Sequence, residues 1–351
     1  MREQVGNRIK SARIMAGLSL RELSAKLEGI VSHTAIKKYE DGQLMPDGKT
    51  LLAFAKALNV KTGYFLRPQN IEISQLEFRK KSRLPKKKLH SIKESIMENI
   101  ERYLELESYL NLPPQFYNPI ENHTILTGDD VENAVEDLLD LWDLGTNPIP
   151  NVIELLEDKE IKVVELDTDE GFDGLSGFAN EKIPVIVVNK SFLADRKRFT
   201  ALHELGHLLL NFDPTLQPKQ NEKLCHRFAG AMLLPRDAIF QELGIKRHNI
   251  SLNELIYIKE SYGISIQAIM ARAKDLEIIS NDQFVNFRIW VNKHEDHKME
   301  KGFGEYGGNE ISTRFNQLLF RATAEEIITM SKAASLANIK LASFRDQFMT
   351  I

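Results

Sequence analysis

His203, Glu204 and His207 stand in the run His203-Glu204-Leu205-Gly206-His207, which has the spacing H-E-x-x-H. On a helix, side chains four apart share a face, so both imidazoles reach one ion. Glu204 projects beside them, placed to take a proton from water activated there. That is the arrangement of a zinc hydrolase. The flanks, Phe199-Thr200-Ala201-Leu202 and Leu208-Leu209-Leu210, make the helix apolar apart from these residues. Burying two histidines and a glutamate is costly unless something pairs them, and a metal would.

A zinc site that keeps one position open for water needs a third protein ligand. The downstream run Asn221-Glu222-Lys223-Leu224-Cys225-His226-Arg227-Phe228-Ala229-Gly230-Ala231-Met232 reads as a second amphipathic helix ending near Pro235. Glu222 and His226 are four apart and share a face. Glu222 is the expected third ligand, and His226 would orient a ligand or the attacking water. His226 and Cys225 remain alternative ligands at this point. Cys225 reads as a small buried residue on a different face from Glu222.

HELGHLLL followed by a glutamate and FAGAMLLP resembles the ImmA/IrrE family of metallopeptidases. Gly174-Leu175-Ser176-Gly177-Phe178, Pro184-Val185-Ile186-Val187-Val188-Asn189 and Arg196-Lys197-Arg198-Phe199-Thr200 fit the same resemblance. It spans roughly residues 150–285. It implies a zincin-like endopeptidase with one Zn2+ per chain, cutting a protein substrate that is often a repressor. The family usually has Ala-Asn where this chain has Cys225-His226.

What must position this site is a chain of 351 residues, long enough for two or three domains. No apolar run reaches the roughly 18–20 residues of a membrane span. The start, Met1-Arg2-Glu3-Gln4, lacks the apolar core of a signal peptide. A single cysteine fits a reducing cytosol, so a cytoplasmic location is expected. The net charge of −4 conceals an asymmetry. Residues 1–90 hold 19 Lys and Arg against 8 Asp and Glu, and the rest hold 27 against 42. A basic block of +11 on a body of −15 points to an anionic partner for the first block only.

Within that block, Gly17 closes a first helix and Ser19 with Glu22 forms a capping box for a second. Ser32 caps a third through Ile36 and Tyr39, stopped by Asp41-Gly42, and a fourth follows Pro46. Two short helices joined by a tight turn are the helix-turn-helix layout. Gly17-Leu18-Ser19-Leu20-Arg21-Glu22-Leu23-Ser24 and Val31-Ser32-His33-Thr34-Ala35-Ile36-Lys37-Lys38-Tyr39-Glu40-Asp41-Gly42 resemble the XRE (Cro/repressor-like) family. That resemblance implies that Ser32, His33, Thr34, Lys37 and Lys38 meet the bases and phosphates of double-stranded DNA. His33 stands where the family often has Gln. Helix-turn-helix heads usually read paired half-sites, so a homodimer is expected.

The expected fold is mainly α with a small β-sheet, an α+β chain. Its parts are an all-α helix-turn-helix domain (1–70), a basic linker (71–90), a helical connector (91–150), a zincin-like metallopeptidase domain (151–285) and a mostly helical C-terminal region (286–351). Seven of the eleven residues from Phe78 to Lys88 are basic, and they read as a phosphate-tracking arm or a solvated linker. Phe287-Arg288-Ile289-Trp290-Val291 reads as a strand, and Asp129 as the cap of the helix through Val131 to Leu144. The functional expectation is a DNA-binding regulator that cleaves a regulatory protein. The alternative is an antitoxin-type repressor whose zinc fold docks a toxin or senses a signal without proteolysis.

Overall fold

Capping builds the N-terminal helices. Ser19 accepts from the Glu22 amide, and Glu22 reaches back to the Ser19 amide, starting Leu20–Lys26. Ser32 accepts from the Ala35 amide and starts His33–Glu40. Asp47 caps Gly48–Leu58 through Thr50. With Arg2–Met15 they enclose Val5, Ile9, Leu23, Ile36, Phe54, Leu58 and Phe65. Gly6 lets the first helix reach the carbonyls of Tyr39 and Glu40, where a Cβ would collide. The Arg13 guanidinium grips Glu40 at 2.6 and 2.8 Å, tying the first helix to the third.

The computed structural model describes residues 1–67, the backbone of 73–74, residues 85–168 and residues 171–348. Residues 71–72 and 75–84 of the expected basic linker lie outside them. The described residues form two compact units.

The first unit comprises Met1–Pro114, Phe178–Ile183 and Thr313–Ile351. Beyond the four capped helices it holds the long helix Lys86–Tyr109, which buries Ile92, Ile96 and Ile100. It begins at Lys86, inside the stretch expected to be linker, because Pro85, with its fixed φ, precedes the first turn. Lys86, Lys87 and Lys88 are therefore helical, and Lys87 pairs with Glu22 at 3.1 Å. The far end of this helix packs Tyr103 and Leu106 against Leu318, Leu319, Leu336 and Phe344 of the helices Arg314–Ala324, Met330–Leu336 and Leu341–Gln347. A short antiparallel pairing sets Ile73 opposite Ala179 and Ser74 opposite Phe178.

The second unit comprises Gln115–Gly177 and Pro184–Ser312. It holds Lys162–Leu166, the strand Ile183–Asn189 from Pro184 onward and the strand Gly174–Ala179 up to Gly177, with Ile183–Asn189 between the other two. Lys162–Leu166 and Ile183–Asn189 are parallel, with Val163 opposite Ile186 and Val164 opposite Val187. Every residue of Ile183–Asn189 is buried, as expected of a central strand. Thr124–Ile125 pairs in parallel with Asn211–Phe212. The helix Ala194–Leu209 packs Ala201, Leu202, Leu205 and Leu209 into a core shared with Phe228, Ala229 and Met232 of Pro218–Leu233.

Two local expectations are corrected. Phe287–Val291 is not a strand but lies in the helix Asn281–Asn292. Ser280 and Gln283 form a capping box that starts that helix, outweighing the aromatic and β-branched run. The helix Gly128–Leu141 is capped by Thr127 with Asp130, not by Asp129. Among the described residues no helix is long and apolar enough to cross a membrane.

Two carboxylates from the segment 299–312 lock the second unit. Glu310 accepts from the Val152 and Ile153 amides at the start of Val152–Asp158 and pairs with Arg198, both side chains fully buried. Glu300 accepts from the Ile266 and Gln267 amides and pairs with Lys259 at 2.9 Å. Each satisfies orphan helix donors and a buried cation together. Lys197 donates to the Glu310 carbonyl and to Glu165, so two successive residues of the H-E-x-x-H helix are held by this segment.

Candidate metal centre and recognition helix

Two helices bring the donors together. Ala194–Leu209 carries His203, Glu204 and His207, and Pro218–Leu233 carries Glu222, Cys225 and His226. Pro218 occupies the first turn of its helix, and Gln217 with Gln220 forms the capping box that sets its start. The helices meet closely at Gly206, where an added Cβ would lie 3.2 Å from the Phe228 ring and 3.4 Å from the Cys225 Cα.

One ligand atom each from His203, His207 and Glu222 falls within 4.8 Å of the others. The two imidazole Nε2 atoms are 3.1 Å apart. Glu222 Oε2 lies 3.5 Å from His203 Nε2, and Oε1 lies 3.6 Å from His207 Nε2. Ligands about 2.0–2.1 Å from a tetrahedral ion stand about 3.3 Å from one another. The spacing and the two-imidazole, one-carboxylate donor set therefore fit zinc or a similar divalent ion.

Glu204 is held beside the cluster. Its Oε2 accepts from the Ser176 hydroxyl at 2.7 Å. Ser176 sits on the strand Gly174–Ala179, nearly buried. Gly174 on the same strand admits the Glu204 side chain, since a Cβ there would lie 3.3 Å from Glu204 Cγ and 2.7 Å from Thr200 Cγ2. Sequence reasoning gave Ser176 no role.

His226 lies against His203, with ring centroids 4.3 Å apart, and stacks on Phe199 at 5.9 Å. Cys225 is more than a small buried residue. Its Sγ is 2.9 Å from Nδ1 of His207. Residues three apart on a helix are neighbours, so Cys225 and Glu222 both turn toward His207.

Arg227, the next residue, anchors this helix from behind. It donates to Glu132, which Arg272 also grips through two bonds of 2.8 Å. Burial alone would raise the Glu132 carboxyl. Hydrogen bonds and charge from Arg272, then Arg227, hold it below the ordinary carboxylate value.

In the first unit, the helix His33–Glu40 exposes Ser32, His33, Thr34, Lys37 and Lys38 along one side. The Ser32 hydroxyl serves the cap and bonds Thr34 Oγ1 at 3.0 Å. Lys37 is paired with Asp41 at 2.6 Å. Ile36 faces inward, fully buried.

Comparison with known proteins agrees with both regions. Residues 9–65 match the helix-turn-helix family model. Residues 156–274 match that of the IrrE N-terminal-like domain, peptidase M78. No curated protein matches the chain. In one polypeptide, the chain thus carries an N-terminal region similar to XRE-type helix-turn-helix domains and a second region similar to the IrrE N-terminal-like peptidase domain.

Proposed function

We propose that this protein is a DNA-binding transcriptional regulator whose second unit is a zinc endopeptidase that cuts a regulatory protein. The observation that carries the reading is the convergence of His203, His207 and Glu222 within 4.8 Å, with Glu204 hydrogen-bonded beside them. His203, His207 and Glu222 would hold the ion, leaving a position open for water. Bound zinc would supply Lewis acidity, lowering the pKa of a coordinated water and polarising the scissile carbonyl. Glu204 accepts the proton as the water oxygen bonds to the carbonyl carbon. It returns that proton to the amine nitrogen as the C–N bond breaks. Ser176 keeps the Glu204 carboxylate aimed while this happens. His226 supports the His203 ring.

The helix His33–Glu40 would read double-stranded DNA, with His33 and Thr34 toward bases and Lys37 and Lys38 toward phosphates. We place the protein in the cytoplasm, as a homodimer. The deciding experiment compares wild type with Glu204→Gln by metal analysis, DNA pull-down and mass spectrometry of cleaved partners. The variant should keep the metal and DNA binding and lose all cleavage. If a partner is still cut, the mechanism is wrong. If regulation survives in Glu204→Gln but not in Lys37→Ala/Lys38→Ala, the zinc fold serves to dock a toxin or sense a signal without proteolysis.

A further inference from the structure

Cys225 is the single cysteine of the chain and has no solvent exposure. Its Sγ stands 2.9 Å from Nδ1 of His207. The opposite nitrogen of that ring, Nε2, lies 3.1 Å from His203 Nε2 and 3.6 Å from Glu222 Oε1. The imidazole is therefore engaged at both ends, by sulfur on one side and the donor cluster on the other. A neutral imidazole carries one proton, and the partner at one nitrogen decides what the other can offer. With the proton on Nδ1, the N–H donates to Cys225 and Nε2 presents a lone pair to the cluster. The other tautomer would aim an N–H into the cluster and close it to a cation.

We propose that Cys225 is the positioning residue of His207: its sulfur accepts the Nδ1–H and so fixes the tautomer and ring angle that turn Nε2 toward a divalent cation. This rests on the reading of His203, His207 and Glu222 as cation ligands. Cys225 is not itself one of the convergent donors. It faces the nitrogen on the far side of the ring. Glu222 and Cys225 are three residues apart on one helix, so that helix supplies both a ligand and the brace for another ligand. His203 has no such brace, for its Nδ1 is buried with no hydrogen-bond partner among the described residues.

The test is Co2+ titration of the metal-stripped full chain, with Zn2+ affinity read by competition. Wild type, Cys225→Ala, Cys225→Ser and His203→Ala are compared, and metal-free melting is followed in parallel. Wild type should bind one Co2+ without a sulfur-to-cobalt charge-transfer band in the near ultraviolet. Cys225→Ala should bind about 10–100-fold more weakly, as loss of an outer hydrogen bond to a metal ligand usually does, with its metal-free melting unchanged. Cys225→Ser keeps an acceptor and should recover most of the affinity. Equal affinity in Cys225→Ala and wild type overturns the proposal. So does a serine variant as weak as the alanine variant, which would make the thiol mere packing. A near-ultraviolet sulfur band lost in Cys225→Ala also overturns it, because Cys225 would then be a ligand. If wild type binds no Co2+, or His203→Ala binds as well as wild type, the ligand reading itself fails and the proposal falls with it.

Discussion

The Ser176 hydroxyl lies 2.7 Å from Oε2 of Glu204, joining an inner strand to the helix that carries both histidines. The bond ties one carboxylate oxygen of Glu204 to the sheet. It also restrains a side chain that would otherwise sample several rotamers, at an entropic cost when it is fixed. Replacing Ser176 by Ala should leave metal affinity and melting close to wild type and lower kcat far more than KM. Hydrogen bonds to charged groups contribute about 1.5–3 kcal/mol, so a loss of about 10–100-fold is the expected scale. Steady-state kinetics on the cleaved partner would measure it, and an unchanged kcat would remove Ser176 from the machinery.

Arg198 and Glu310 form a fully buried pair that also caps Val152–Asp158. Removing one partner strands the other charge in the core. Arg198→Ala should cost about 3–5 kcal/mol, or roughly 6–20 °C of melting temperature for a unit of this size. Thermal unfolding of the full chain reads this directly. A shift below about 2 °C would mean that Glu310 finds other partners.

Glu132 gives the acid dependence a sign. Its folded-state pKa is depressed by Arg272 and Arg227. Its contribution to stability is thus present above the unfolded carboxylate value and is lost as pH falls through the folded one. Glu132→Gln should be less stable than wild type near neutral pH, and the difference should shrink steadily in acid. Urea unfolding at several pH values tests this. A gap that stays constant with pH would contradict it.

Lys37 and Lys38 are exposed on the helix His33–Glu40, but Lys37 is already paired with Asp41. Binding DNA would require it to leave that carboxylate. Lys38→Ala should therefore weaken binding more than Lys37→Ala, both across all sequences, with the salt slope falling by about 1 per lost phosphate contact. His33→Ala should instead change base preference. Fluorescence anisotropy over a salt series separates these effects, and an unchanged slope in the double variant would dismiss both lysines as phosphate contacts.

Gly6 meets the Tyr39 and Glu40 carbonyls where the first helix crosses the helix His33–Glu40. Gly6→Ala should push these helices apart, at about 1–3 kcal/mol. DNA affinity and first-unit stability should fall together in melting and anisotropy measurements.

The donor cluster was legible because its grammar is local. His203 and His207 are four apart, and Glu222 sits on the next amphipathic run. The caps of Ser19 and Ser32 were legible for the same reason. Ser176 was not, because nothing along a strand tells which distant carboxylate a hydroxyl will meet. Cys225 was assigned to another helix face, although three-residue neighbours share a side. The helix through Phe287–Val291 was missed because side-chain type was weighed above the Ser280–Gln283 capping box. Glu300 and Glu310 are exposed-type residues in sequence, and only their pairing with Lys259 and Arg198 makes them core.

That pairing bears on when the donor cluster can be steadied. His203 and His207 leave the ribosome about a hundred residues before Glu310, yet the start of their helix is secured by Glu310 through Arg198 and Lys197. A nascent or prematurely ended chain would already display every donor of the cluster while lacking the clasp that steadies it. Translation order thereby delays the clasp on the donor helix until Glu310 has emerged.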